Sequence, residues 1–213
     1  MTESFIRAQT RPLRLDLVPE ITLLVAGDVV GLWEAIAADG VADGVEPPAE
    51  PPFWAAAWPG GQALARYVLD HPDLVRGRSV LDLGSGSGLV AVAAALAGAA
   101  DVVASEIDPY GIAAIAANAQ VNGVSDIVVV GELLDREPPD VAVLLAGDVC
   151  YDRLMTERVL PFLEEARRRG TDVLIGDPGR PYLPHERLTA LSVVEVPDTE
   201  GSQLRSTTVW RMR

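Results

Sequence analysis

Residues 147–152, Gly-Asp-Val-Cys-Tyr-Asp, place a thiol and a phenol between two carboxylates. Cys150 is the one cysteine of the 213-residue chain, and a lone cysteine in such company raises the question of a nucleophile. The surroundings argue against it. A thiolate needs a nearby base or cation, and adjacent carboxylates disfavour it. His71 and His185 are the only histidines and lie far away in sequence. Two histidines and one cysteine without ligand spacing also give no metal site. A packed, unreactive thiol is the expectation, which moves the interest to Asp148 and Tyr151.

A second stretch, Val-Leu-Asp-Leu-Gly-Ser-Gly-Ser-Gly-Leu-Val over 80–90, closes an apolar run and opens a helical one. Glycines there let backbone approach a ligand closely and turn free N–H groups toward it. The dinucleotide fingerprint is G-x-G-x-x-G. Here Gly84, Gly86 and Gly88 give G-x-G-x-G, and Leu89 stands where the last dinucleotide glycine belongs. Asp82 would repel a pyrophosphate but can bind an ammonium, directly or through water. A tight turn with no ligand would explain the glycines but not the acidic residues around them.

The elements that must position these groups alternate. Segments 78–84, 101–106, 126–131, 141–147 and 171–177 are short apolar runs suited to buried parallel strands. Helical patterns separate most of them, at 61–72, 89–98, 108–123 and 152–169. The third is well punctuated: Asp108 as N-cap, Pro109 at N1, Asn122-Gly123 as the stop. Residues 191–196 and 204–212 flank a turn-rich loop and predict an antiparallel final pair. The fold class expected is α/β: a doubly wound, Rossmann-like sheet of seven strands, mostly parallel with an antiparallel last strand. Ligands of such sheets bind at the carboxyl ends of the strands. The whole of 1–213 reads as a single domain, with 1–52 an N-terminal extension and Pro-rich linker and 53–213 the core.

Bulk composition excludes several classes. The formal net charge is −14 with no lysine at all, so a nucleic-acid footprint is missing. The longest apolar run, 89–100, is too short to span a bilayer, so no membrane association is expected. The first residues lack the apolar core of a secretory signal, and the single cysteine suits a reducing compartment, so a cytoplasmic location is expected.

The acidic residue at the strand mouth followed by G-x-G-x-G resembles motif I of the seven-strand S-adenosylmethionine methyltransferases. That ligand carries an α-ammonium and no phosphate. The resemblance implies that Asp82, Gly84, Gly86 and Gly88 line its site. It implies that Glu106, 22 residues after Gly84, takes the ribose hydroxyls, with Ile107 and Glu132 on either side of the adenine. The fourth strand would end at the methyl donor, placing Asp148 against both donor and acceptor. A sulfonium carbon is already activated, so an amine need only be held in line. Asp148 can accept its N–H bonds, and Tyr151 can wall the site and favour a cation.

The Asp148-x-x-Tyr151 spacing resembles the protein methyltransferases named for D-x-x-Y. Residues 52–72 and 174–184 are similar to the lysine methyltransferases of the electron-transfer flavoprotein β subunit. That family implies a protein lysine substrate on the flavoprotein subunit, Trp58 packed on the methyl donor, S-adenosylhomocysteine as product, and a role for Gly176–Pro181 on the acceptor side. Trp54 and Trp58 could equally be core or lid packing. Arg180 could pair with a substrate carboxylate or with Glu186. The alternatives are a small-molecule N-methyltransferase, acting on an amine or nicotinamide-like compound in a closed pocket, and a non-catalytic binding partner.

Overall fold

Each expected βα unit is present in the computed structural model, which describes residues 3–42, 50–197 and 203–213. The chain opens with helix α1 (Glu3–Gln9), a hairpin of β1 (Arg11–Arg14) and β2 (Thr22–Val25), and helix α2 (Val29–Ala42). Most of the Pro-rich stretch 46–52 and the centre of the final turn lie outside the described residues. A short turn of helix at Phe53–Ala55 leads into α3 (Pro59–Asp70).

The units that follow are β3 (Ser79–Leu83), α4 (Leu89–Leu96), β4 (Asp101–Ser105), α5 (Pro109–Val121), β5 (Ile127–Val130), β6 (Val143–Gly147), α6 (Arg153–Arg168), β7 (Asp172–Asp177), β8 (Leu188–Pro197) and β9 (Leu204–Met212). The main sheet has the order β5-β4-β3-β6-β7-β9-β8. The first five are parallel, and β9 runs antiparallel to both neighbours. The order reverses between β3 and β6, so a crevice opens beside their carboxyl ends. β8 starts three residues before the expected 191, because Leu188 pairs with Met212.

Burial follows the apolar pattern. α4 buries Leu89 through Ala94 between sheet and helices; each such Leu or Val contributes about 1.5–3 kcal/mol. Asp108 caps α5, its carboxylate accepting the Tyr110 N–H at 2.8 Å. The described N-terminal segment before residue 39 packs directly on the core. Leu15, Val18, Ile21, Leu23 and Val25 share a cluster with Leu89 and Val92 of α4. Ile6, Leu24, Leu32 and Ile36 share another with Trp54, Tyr110 and Ala114. Among the described residues, no helix is long and apolar enough to cross a membrane.

Candidate functional site

The carboxyl ends of four adjacent parallel strands each deliver a carboxylate. In-register pairing sets Leu83 beside Ser105 and Gly147 beside Gly176. Asp82, Glu106, Asp148 and Asp177 therefore surround one end of the sheet, each in or just after its strand.

On the β3–β4 side, Gly84, Gly86 and Gly88 all take positive φ, which a side chain would resist. Asp82 is 1% exposed. Its Oδ2 accepts the Ser85 hydroxyl at 2.5 Å and the Ala91 N–H at 3.0 Å, tying the loop to the first turn of α4. Burial pushes its pKa up to about 7, with the Ser85 and Ala91 bonds opposing and the charge of Glu106 adding to the rise. Glu106 reaches back over the loop: Oε2 accepts the Gly86 N–H at 2.7 Å, and Oε1 accepts the N–H groups of Ile107 and Asp108 at 2.7 and 2.9 Å. Burial raises its pKa against those three bonds. Ile107 is 65% exposed beside it, an apolar side chain kept at the crevice mouth.

Glu132 follows β5, bonded to the Leu134 N–H and paired with Arg158 at 2.9 Å. Partial burial would raise its pKa, but the Leu134 N–H and Arg158 outweigh it and the net shift is downward. Trp54 is buried, and its Cα approaches Gly86 closely enough that a Cβ there would lie 3.8 Å away. The segment before α3 thus roofs the glycine loop.

On the β6–β7 side, Asp148 is the one described non-glycine residue with a positive φ, +60°. Its Oδ2 accepts the Gly61 N–H at 2.7 Å, and Oδ1 lies 2.5 Å from Arg180 Nη1. Trp58 sits at the N-cap of α3 without a side-chain cap bond, so Asp148 serves as a cap delivered from another strand. The fit requires glycine: a Cβ on Gly60 would overlap the Gly176 carbonyl and come within 2.7 Å of Asp148 Oδ2. Burial raises the pKa of Asp148, while Arg180 and the α3 N–H groups pull it down. Arg180 also contacts the fully buried Asp177 at 3.4 Å, whose Oδ1 accepts the Gly179 and Arg180 N–H groups. Arg180 therefore pairs with Asp148 and Asp177 in place of Glu186.

Tyr151 is 37% exposed and packs on Phe53, ring centroids 5.6 Å apart; Phe53 in turn meets Trp58 edge-on at 5.9 Å. The Trp58 indole donates to the Phe53 carbonyl at 2.7 Å. These rings form an aromatic row along the crevice. Burial, then the charges of Glu50, Asp152 and Glu106, push the Tyr151 phenol up to about 12, so it stays neutral. Cys150 is packed among Leu81, Leu144, Val159 and Phe162, and burial, aided by Asp177, pushes its thiol up to about 11.

Sequence reasoning brought Asp82, Glu106 and Asp148 to the same edge. It missed the cap that α3 receives from Asp148, the Arg180 pair, and Phe53. The glycine pair at the start of α3 was the available signal, since two glycines in a helical first turn imply a close backbone approach.

A sequence profile described as "Ribosomal protein L11 methyltransferase (PrmA)" matches residues 63–152. The human electron transfer flavoprotein beta subunit lysine methyltransferase is 40% identical over an alignment of 167 residues, which covers 74% of this chain. The chain spans 64% of the length of that relative, less than two thirds. The Xenopus laevis protein of the same name is 36% identical over 216 residues, covering 97% of this chain and 85% of its own. Magnesium protoporphyrin IX methyltransferase from Synechocystis, solved with bound S-adenosylmethionine, shares the fold with a TM-score of 0.53 at 12% identity, covering 72% of this chain and 78% of that one.

Proposed function

The chain belongs to the family of the electron transfer flavoprotein beta subunit lysine methyltransferase, and from that premise we propose that it is an S-adenosylmethionine-dependent protein lysine N-methyltransferase. The substrate we propose is the electron-transfer flavoprotein β subunit, and the compartment the cytoplasm. We treat 1–213 as a single catalytic domain. The observation that carries this reading is the meeting of Asp82, Glu106 and the Asp148–Tyr151 pair at the ends of neighbouring strands.

The residues present suit the methyl donor. Asp82 receives its two recorded bonds on Oδ2, so Oδ1 is the oxygen assigned to the α-ammonium. The positive-φ glycines present backbone to the ligand. Glu106 is the carboxylate assigned to the ribose hydroxyls, exchanging its Gly86 contact for them. Ile107 and the Glu132 segment flank the adenine, and Trp58 lies on the roof. When bound, the ligand supplies an electrophilic methyl group, transferred to nitrogen as the carbon–sulfur bond breaks and sulfur keeps the electron pair.

The acceptor side is assigned to Asp148, Tyr151 and Phe53. Asp148, immobilised by Gly61 and Arg180, orients the amine. The neutral Tyr151 ring and its neighbour form the wall of the channel and favour the cationic product. With Arg180 neutralising much of the carboxylate's charge, an incoming amine is less held as ammonium and keeps its lone pair available.

The test is incubation of the protein with labelled S-adenosylmethionine and purified flavoprotein β subunit, followed by mass spectrometry. Label on a lysine of the subunit supports the proposal. This chain has no lysine of its own, so self-methylation at lysine cannot imitate the result. Label confined to the low-mass fraction of a lysate would replace it with a small-molecule N-methyltransferase.

A further inference from the structure

One buried side chain joins the N-terminal hairpin to the glycine loop. Asn118, on α5, is 0% exposed. Its Oδ1 accepts the Leu24 N–H of β2 at 2.8 Å, and its Nδ2 donates to the Ser87 carbonyl at 2.7 Å. One amide therefore satisfies a strand on one side and the loop on the other, at positions 94 and 31 residues away. One turn later Asn122 holds the same strand, accepting the Thr22 N–H and donating to the Thr22 carbonyl, and its Nδ2 also donates to the Asn118 carbonyl within the helix; none of these bonds reaches the glycine loop. A second route runs in parallel: the Ala26 N–H donates to the Ala55 carbonyl, beside Trp54, which lies over Gly86.

We propose that Asn118 is a positioning residue of the methyl-donor site, and that through it the β1–β2 hairpin holds the glycine loop in its binding conformation. This rests on the reading of Gly84–Gly88 as the methyl-donor loop. The physical reason is the loop's own weakness. Three positive-φ glycines have many alternative conformations, and a loop kept ready for a ligand needs outside restraint. Asn118 supplies it at the Ser87 carbonyl, between Gly86 and Gly88, where the buried amide has no water with which to exchange partners. The N-terminal segment becomes a working part of the site, although it lies outside the alternating core.

S-adenosylhomocysteine is the probe, with affinity read by calorimetry and stability by thermal unfolding. Asn118→Ala should raise its Kd by about tenfold, the order expected for one buried hydrogen bond left unpaired. Asn122→Ala should lower the melting temperature similarly yet keep the Kd within about twofold, since its bonds reach the hairpin and the Asn118 backbone carbonyl but leave the Asn118 amide on Ser87 in place. Equal Kd for Asn118→Ala and wild type overturns the inference alone; no binding to wild type overturns the donor-site reading with it. If Asn118→Ala does not fold, hydrogen exchange on the wild type decides. Coupling is reciprocal, so saturating S-adenosylhomocysteine should slow exchange at Leu24 N–H as well as in the loop. Protection confined to the loop would overturn the proposal.

Discussion

The Arg180 guanidinium lies 2.5 Å from the Asp148 carboxylate, and the same carboxylate accepts the first-turn Gly61 N–H of α3. Both partners are largely buried, with 20% and 10% of their side chains exposed. Removing the cation leaves Asp148 and the fully buried Asp177 facing each other. Arg180→Met should therefore cost about 3–5 kcal/mol in denaturant unfolding, as for other broken buried pairs. Arg180→Lys should recover part of that loss. Equal stability of wild type and Arg180→Met would show the pair to be structurally idle.

Asp148→Asn keeps an acceptor for Gly61 but loses the charge. Turnover should fall by about a hundredfold, the scale of a mispositioned reactant, with S-adenosylhomocysteine affinity little changed. Tyr151→Phe, which keeps the ring, should retain more activity than Tyr151→Ala. Unaltered turnover in both Asp148→Asn and Tyr151→Ala would remove the acceptor assignment.

Glu106→Ala deletes the carboxylate assigned to the ribose. Charge-assisted bonds of this kind are worth about 1.5–3 kcal/mol, so the Kd for S-adenosylhomocysteine should rise by roughly 10- to 100-fold. An unchanged Kd in calorimetry would refute the role.

Asp82 carries the clearest pH signature. Its folded pKa, about 7, stands above the unfolded value of 3.8. The native state then binds the extra proton between those values, so stability from this group is greatest at low pH and is lost as pH rises toward and through 7. Glu106 and Asp148, also shifted upward, act in the same direction. Asp82→Asn should flatten the fall in melting temperature between about pH 4 and 7. If an ammonium pairs with the ionised form, affinity for S-adenosylhomocysteine should increase across pH 7 and binding should release protons, detectable by calorimetry in buffers of different ionisation enthalpy.

Cys150 should be chemically quiet. Its thiol is buried, with a pKa near 11, so iodoacetamide at pH 8 should label the unfolded protein and spare the native one. Cys150→Ser should leave turnover nearly unchanged. Rapid native labelling with loss of activity would reopen the nucleophile question.

The alternating strands and helices, the glycine loop, the cap at Asp108, and the carboxylates that end strands were all legible in the amino-acid order. Those features are set within a few residues, by hydrophobic period, capping and turn chemistry. Strand ends of a parallel sheet share one edge, so Asp82, Glu106 and Asp148 could be grouped before any fold was seen. What those groups touch emerged from the folded arrangement alone. Gly61 reaches Asp148 across 87 residues, and Asn118 reaches Leu24 across 94. Such partners are chosen by strand order and helix packing, which carry no local signal. The same holds for Arg180, where Asp148, 32 residues away on the neighbouring strand, joined Asp177 in binding it in preference to the nearby Glu186. A buried cation takes the burial-matched partner, because water no longer screens the choice.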